Sequence, residues 1–322
     1  MQAVVFVPHA GGGLAEVREV TAPEVKAGQV LVRVRAAGVN RGELSALKNL
    51  VKGTPQPSGI EFAGEIVECA PDVASFRPGD RVMGHWRAGQ AEYVAADHRV
   101  LMRIPEEVDW ITAGAFINSF TTAHNAIVTN GLLSAGKSVL INAASSGIGV
   151  AAIQIAKLFE AAPIIASSGS AAKLKQLAPL GVDVCIDTAQ GNFADAVLKA
   201  TGGRGVDLII DNLGAPVLAE NLRCMALEGR LISVGRMGGK MAEVDLDLVA
   251  LRRLKLIGVT FRTRTDDERA QCVQAAASDL LPALAAGRIR PLIDQVFPMS
   301  AIREAHARME SNQQVGKIVL EI

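Results

Sequence analysis

The stretch Lys137-Ser138-Val139-Leu140-Ile141-Asn142-Ala143-Ala144-Ser145-Ser146-Gly147-Ile148-Gly149-Val150-Ala151-Ala152-Ile153-Gln154-Ile155-Ala156-Lys157-Leu158 decides the fold. Val139 to Ile141, set between Gly136 and Asn142, has the length and composition of a strand buried on both faces. A tight turn of small residues follows, Ala143 to Gly149. From Val150 to Leu158 the run is Pro-free and helix-compatible, and its strongly polar members, Gln154 and Lys157, sit three apart on one face. Strand, glycine turn and helix are the geometry of a dinucleotide site. A pyrophosphate needs close backbone approach, tiny side chains and the free N–H groups and positive dipole end of a helix start. Ala144-x-Ser146-x-x-Gly149 fills the G-x-G-x-x-G frame with small residues at its first two positions, and Ser145, Ser146, Gly147 and Ile148 are its candidate phosphate contacts. A βα turn that binds nothing could use the same small residues; the flanking strand and helix favour binding.

The next strand chooses between cofactors. Pro163 to Ala166 reads as strand two and runs into Ser167-Ser168-Gly169-Ser170, about 20 residues beyond the turn, where an acid would hold an NAD ribose. Between Val150 and Val182 the single acid is Glu160, ahead of the strand. Ser168, Ser170 and Lys173 suit a 2'-phosphate, which a carboxylate would repel and hydroxyl and ammonium donors attract. The pattern therefore predicts NADPH over NADH, although an ordinary solvated helix lysine would also explain Lys173.

The chain of 322 residues has zero formal net charge and no block of like charges, which recommends neither nucleic acid nor an anionic membrane as partner. It is 49% hydrophobic yet 4% aromatic, as suits a large α/β core filled by aliphatic side chains. Cys69, Cys185, Cys224 and Cys272 lack any C-x2-C spacing and read as buried small hydrophobes in a reducing compartment. The N-terminus enters a strand pattern directly, and no apolar run approaches the length of a membrane span, so a cytoplasmic protein is expected.

Residues 2 to about 105 read as β structure: Val4 to Val7, an alternating strand through Val30, Val32 and Val34, then Ile60 to Val67, Ala91 to Val94 and Val100 to Ile104. Asp109 is a candidate N-cap for a long helix from Trp110 to Val128. From Lys137 strands alternate with helices: Val139 to Asn142, Ile164 to Ser167, Val184 to Asp187, Val206 to Asp211, Arg230 to Val234 and Lys255 to Thr260. Six such units make a doubly wound parallel sheet. A helix from Asp267 to Ala286, a strand at Ile293 to Phe297, a helix from Ser300 to Glu310 and a last strand from Lys317 to Ile322 suit a return to the β domain. Residues 1–123 and 265–322 are thus assigned to one domain, 124–264 to the other.

This order resembles the medium-chain dehydrogenase/reductase superfamily over essentially the whole chain. The markers are Gly38-Val39-Asn40-Arg41, Gly59-Ile60-Glu61-Phe62-Ala63-Gly64, Phe76-Arg77-Pro78-Gly79-Asp80-Arg81-Val82, the glycine turn, and Glu310-Ser311-Asn312 ahead of Gly316-Lys317-Ile318-Val319. Within the superfamily it is most similar to the zinc-free quinone oxidoreductase, or zeta-crystallin-like, branch. The resemblance implies a GroES-like β-barrel domain beside a Rossmann domain with a six-stranded parallel sheet. Zinc-dependent relatives carry a Cys after the Gly-Val pair, a Gly-His-Glu motif and a four-cysteine lobe; here Asn40 and Gly59-Ile60-Glu61 stand in those places, and no lobe interrupts Trp86 to Tyr93. No metal site is expected. The turn also resembles the short-chain dehydrogenase motif, but that family needs Tyr-x-x-x-Lys, and the single tyrosine, Tyr93, is followed four residues on by Asp97.

The resemblance sets Asn40 and Thr122 beside the nicotinamide as the catalytic pair, where an amide and a hydroxyl could fix the face that presents the hydride. A turn residue and a back-bonded helix threonine are the plainer alternatives. Asn212 and Gly235, at carboxyl ends of strands, and Phe261 and Arg262 beyond the sixth strand are further cofactor candidates. Arg264 could reach a phosphate, and Asn312 and Lys317 resemble the motif that closes over the cofactor. His124 reads as packing, and the sequence alone identifies no partner for His85 or His98. Asp187-Thr188 replaces a tyrosine that many relatives place near the 2'-phosphate, which weakens the NADPH expectation, and Ser45 stands near a missing cleft tyrosine. The expected activity is zinc-independent hydride transfer from NADPH to a quinone or related conjugated carbonyl. The cleft is expected between the domains, lined by Asn40 to Leu47 and by Arg236 to Met241. An enal or enone double-bond reductase, and an NADPH-binding protein with a structural or regulatory role, are the alternatives. A homodimer is expected through edge-to-edge pairing of Lys255 to Thr260.

Overall fold

The computed structural model describes residues 1–322, the side chain of Gln190 excepted. The chain divides into two compact units, Met1–Thr121 with Thr265–Ile322, and Thr122–Arg264.

The first unit begins with β1 (Gln2–Val7), β2 (Leu14–Glu19), β3 (Gln29–Val39), α1 (Arg41–Asn49), β4 (Gln56–Pro57), β5 (Phe62–Cys69), β6 (Arg81–Gly84), β7 (Tyr93–Asp97), β8 (Leu101–Arg103) and α2 (Trp110–His124), inside which the unit boundary falls. The second unit carries β9 (Val139–Ile141), α3 (Gly147–Leu158), β10 (Ile164–Ser168), α4 (Ala171–Leu177), β11 (Val184–Asp187), α5 (Phe193–Ala200), β12 (Val206–Asp211), α6 (Leu218–Cys224), β13 (Met225–Ser233), α7 (Leu246–Leu251) and β14 (Lys255–Gly258). Then α8 (Asp266–Ala285), β15 (Ile293–Pro298), α9 (Ile302–Glu310) and β16 (Lys317–Glu321) complete the first unit.

In the first unit β2-β1-β4 form a small sheet, and β15-β16-β3-β5-β6-β8 a larger one to which β7 adds by pairing with β3. The long strand β3 is its spine. Val30, Val32 and Val34 are buried while Arg33 and Arg35 alternate on the wetter face, as the period-two pattern requires. The C-terminal strand returns here: β16 pairs antiparallel with β3, Ile318 opposite Val39. That register carries Lys317 next to the chain segment at Asn40.

In the second unit the strand order is β11-β10-β9-β12-β13-β14, with every pairing parallel. Counted within the unit this is 3-2-1-4-5-6, the doubly wound order whose ligand crevice opens at the carboxyl ends of the first and fourth strands, here β9 and β12. Leu140, Ile165, Ile209 and Leu231 form its fully covered core with Phe193 and Val197 of α5.

Several expectations need correction. The helix from Trp110 stops being α-helical at His124 and continues as a π-turn, Asn125–Asn130. Asn130 Nδ2 donates to Asn125 O at 2.8 Å, and the Arg264 guanidinium donates to Asn125 Oδ1 at 3.0 Å; these polar contacts accompany the wider winding. Cys185 is exposed and Cys69 half-buried, whereas Cys224 and Cys272 are buried; Cys185 stands on β11, an edge strand. Strands β2 and β6 and helix α1 were not anticipated. Helix α1 buries just Glu43 and Leu47, so it carries no apolar stripe to announce itself.

Candidate active site

The β9–α3 turn is built for close backbone approach. Ser146 is the N-cap of α3, its Oγ accepting from Gly149 N at 3.1 Å, while Ser146 O accepts from Val150 N at 2.8 Å. A helix start cannot satisfy its first N–H groups internally, so those of Gly147 and Ile148 are offered outward. Helix and turn pack so tightly that a Cβ on Gly149 would lie 2.5 Å from Ala144 O. Ser145 is buried, and Ser146, Gly147 and Ile148 are half-exposed. This cradle of small side chains and unspent N–H groups fits a dinucleotide pyrophosphate.

The end of β10 is free of carboxylates. Ser167 is consumed within the fold, donating to Asn142 Oδ1 at 2.7 Å. Ser168 ends the strand, and Ser170 is the N-cap of α4, accepting from Lys173 N at 3.4 Å. Lys173 is half-buried on that first turn. Asp187 directs its carboxylate into its own turn, where Oδ1 accepts from Ala189 N at 3.0 Å. Thr188 Oγ1 lies 3.8 Å from where a Cβ on Gly169 would stand, placing this hydroxyl beside the serine corner.

At the strand-order switch, Asn142 and Asn212 follow β9 and β12. Asn142 donates to Asn221 Oδ1 at 2.8 Å, and Asn212 Nδ2 donates to Asn142 O at 3.1 Å. Asn212 Oδ1, although buried, finds no hydrogen-bond partner among the described residues. A ligand N–H or O–H would satisfy it. Asp211 accepts from Leu213 N and Gly214 N at 2.8 and 3.1 Å; burial raises its pKa above the ordinary carboxylate value despite those bonds. Gly235 N donates back to Asp211 O at 3.1 Å. Thr122 is half-buried on α2. Phe261 is half-buried with the Arg264 guanidinium 5.4 Å from its ring, whereas the Arg262 side chain is exposed. Arg264 is held locally, to Thr260 O at 3.1 Å and to Asn125.

In the first unit Asn40 belongs to a dense polar cluster. Its Nδ2 donates to Glu61 Oε1 at 2.9 Å; its Oδ1 accepts from Asn118 Nδ2 and Lys317 Nζ, both at 2.8 Å. Lys317 Nζ also reaches Glu61 Oε1 at 2.5 Å and Val39 O at 3.2 Å, which uses all three of its N–H bonds. The second Glu61 oxygen accepts from Asn118 N at 3.0 Å. A Cβ on Gly38 would overlap Glu61 Oε1, so the carboxylate reaches Asn40 through space that a glycine leaves open. One layer behind, Glu43 Oε1 accepts from Asn40 N at 2.9 Å, and its Oε2 meets Gln90 Nε2 at 3.0 Å and His306 Nε2 at 3.1 Å. Asn312 lies outside the cluster, exposed, with φ +55° and Nδ2 donating to Glu310 O.

The structure thus gathers Ser145 to Ile148, and separately Asn40 with Lys317. Asn118, Glu43, Gln90, His306, Asn142, Asn221 and Asp211 were not singled out beforehand. Asn118 in Phe116-Ile117-Asn118-Ser119-Phe120, and Glu61 directly ahead of the apolar start of β5, carried a signal: a polar side chain where the pattern predicts burial needs a partner. Glu43, on a helix without an apolar stripe, and His306, on the amphipathic α9, carried none. His124 is buried, as packing requires, and His98 Nδ1 lies 3.2 Å from Ser75 Oγ. His85 is buried as well; burial first, then the charges of Arg269 and Lys317, lower its pKa to about 3.

Comparison with known proteins agrees with this architecture. A model described as "Alcohol dehydrogenase GroES-like domain" matches residues 26–130, and one described as "Zinc-binding dehydrogenase" matches residues 180–320. Quinone oxidoreductase-like protein 2 of Bos taurus is 31% identical over 310 residues, 95% of this chain and 88% of that protein. Quinone oxidoreductase of Homo sapiens is 30% identical over 331 residues, 99% of this chain and 97% of that protein. The crystal structure of an NAD-dependent alcohol dehydrogenase superimposes with a TM-score of 0.89 at 28% identity, covering 100% of both chains. With its GroES-like unit, its six-stranded Rossmann unit and these relatives, the chain belongs to the medium-chain dehydrogenase/reductase superfamily, in its quinone oxidoreductase branch, and is an oxidoreductase of that type.

Proposed function

We propose that this protein is an NADPH-dependent, zinc-independent reductase that delivers hydride to a quinone or a related conjugated carbonyl. The observation that carries the cofactor choice is the β10–α4 corner. Ser168, Ser170 and Lys173 stand where a ribose-binding acid would exclude a 2'-phosphate, and the nearby Asp187 carboxylate is turned into its own loop. The Gly147 and Ile148 N–H groups hold the pyrophosphate at the α3 N-terminus. Asn212 Oδ1, with Thr122, positions the nicotinamide carboxamide and ribose, and a bound nicotinamide supplies the hydride.

The zinc in the name of one matching model is not carried over to this chain. Position 40 is an amide, and Glu61 is committed to Lys317 and Asn40, a donor set that does not suit a tetrahedral zinc. Among the described residues no three His, Cys, Asp or Glu side chains gather as a metal site. A quinone needs no Lewis acid. It takes two electrons as hydride, and the resulting hydroquinone anion, delocalised over the ring, takes one proton from water. The protein then acts chiefly by proximity and orientation.

The test is titration of nicotinamide fluorescence with NADPH and NADH, on wild type and Lys173→Ala, followed by a panel of quinones and enones. The expected result is tighter NADPH binding, most of that preference lost in the variant, and turnover with quinones. Equal binding of NADH overturns the cofactor assignment. Reduction of enones alone, with stereospecific C–H formation, replaces the quinone by an activated double bond, and binding without turnover of any acceptor leaves a binding protein.

A further inference from the structure

We infer that Glu61, Lys317 and Asn118 are positioning residues that lock the Asn40 amide in one orientation, so that Asn40 meets its ligand as a hydrogen-bond donor to a carbonyl-type oxygen. This rests on the proposed function together with the expectation, which the family resemblance implies, that Asn40 lies beside cofactor and acceptor.

An asparagine amide has two N–H donors and one oxygen with two lone pairs. Both lone pairs of Asn40 Oδ1 are occupied, by the Lys317 ammonium and by Asn118 Nδ2, each at 2.8 Å. One N–H goes to Glu61 Oε1 at 2.9 Å. The other reaches Gly38 O at 3.5 Å, beyond the length of a strong N–H···O bond and so available to a better acceptor. Flipping the amide would set its oxygen against the Glu61 carboxylate and its NH2 against the Lys317 ammonium, two repulsive contacts inside a buried cluster. The framework cannot easily turn with it, because every N–H of Lys317 and both oxygens of Glu61 are already engaged. Glu43 pins the Asn40 backbone N–H from the other side.

Burial separates the roles. Glu61, Lys317 and Asn118 are at most 9% exposed, whereas Asn40 keeps intermediate exposure, so within the cluster Asn40 is the member a ligand can touch. An ammonium on the oxygen side polarises the amide and strengthens its remaining N–H. Such a donor suits the oxygen of the acceptor carbonyl, which gains negative charge as hydride arrives. The nicotinamide carboxamide oxygen is the other carbonyl-type oxygen it could hold, as a ground-state contact, and the experiment separates the two.

Asn40→Asp is the decisive variant, because a carboxyl donates only when protonated. The charged and titratable groups around it are Glu61 just ahead of β5, Lys317 on β16, Glu43 on α1 and, behind Glu43, His306 on α9. Turnover of Asn40→Asp should fall about a hundredfold at pH 8 and recover toward acid pH, on a limb the wild type lacks. Wild-type turnover by Asn40→Asp at pH 8 would mean that Asn40 accepts rather than donates, and would overturn the inference. A fall in kcat with an unchanged NADPH Kd assigns the bond to the acceptor oxygen; a weakened NADPH Kd assigns it to the carboxamide.

The locking itself is read on the protein without cofactor, from side-chain amide exchange in asparagine-labelled NMR spectra. Asn40 should exchange far more slowly than the exposed Asn192, and about tenfold or more faster in Glu61→Gln than in wild type, a loss that Lys317→Met should match where that variant folds. Free exchange of Asn40 in wild type, or no change in the folded Glu61→Gln, overturns the locking. Should wild type bind no nicotinamide and reduce no acceptor, the proposed function fails while this exchange measurement still decides the positioning.

Discussion

At the scale of single residues, the sequence disclosed what is local and concealed what is distant. Ser146 and Gly149 act on neighbours three to five positions away, and the missing acid after β10 is a property of one short segment, so both were legible. Glu61 and Lys317 meet across 256 positions, and nothing in either neighbourhood names the other. Lys317 was legible as a motif residue, but its partner is a carboxylate rather than a ligand. That pairing has an energetic consequence. Glu61 is fully buried, and removing its ammonium leaves a charge that amide donors alone must stabilise. Breaking a buried pair from one side costs about 3–5 kcal/mol. Lys317→Met should lose that much unfolding free energy in urea, and Glu61→Gln combined with Lys317→Met should regain most of it; a loss below about 1 kcal/mol would mean that the pair contributes as little as a surface bridge. His85 makes a second prediction. Its folded pKa, about 3, lies below the unfolded value near 6.5. Above pH 6.5 it is neutral in both states and costs nothing. As pH falls from 6.5 toward 3 the unfolded chain takes up a proton that the native state refuses, so stability declines by up to about 1.4 kcal/mol per pH unit. Unfolding at pH 7, 6, 5 and 4 should show that slope, and His85→Gln should flatten it.

At the scale of elements, strands with strict period two and helices long enough to show a face were readable, and short polar elements were not. The spine β3 shows valines inward and arginines outward in plain alternation. Helix α1 instead buries an acid, Glu43, in the service of Asn40 and His306, so hydropathy alone would have left it as loop. The π-turn after α2 cannot be read from periodicity, because its composition is helical and its contacts to Asn130 and Arg264 are polar. Helix α3 is the element on which the cofactor assignment stands. Its cap does two things at once: Ser146 Oγ satisfies one N–H and thereby fixes the orientation of those left for phosphate. Ser146→Ala should cost about 1 kcal/mol of stability and weaken NADPH and NADH equally, since both carry the same pyrophosphate. Lys173→Ala should weaken NADPH alone. Selective loss of NADPH in Ser146→Ala would instead place that hydroxyl at the 2'-phosphate.

At the scale of the molecule, two units with separate sheets are what 322 residues of this composition allow, since single cores stop growing beyond about 250–300 residues. The N-terminal unit closes only when β15 and β16 return to β3, so the Rossmann unit is an insertion between two halves of another core. This organisation leaves one feature unresolved within a single chain. Strand β14 ends the six-stranded sheet, with no strand on its far side among the described residues. Leu256 on it is 43% exposed, and Leu251 and Leu246 on the preceding helix are 71% and 74% exposed. An exposed apolar edge strand is a template for pairing. A second copy related by a twofold axis would present the same strand in antiparallel sense, giving a closed isologous contact that joins two six-stranded sheets into one. Light scattering at micromolar concentration should therefore give twice the 33.8 kDa chain mass. Leu256→Asp, which places a charge on an already exposed position, should yield folded monomers. A monomer mass for wild type would remove the dimer, and the exposed leucines of α7 and β14 would then need another partner.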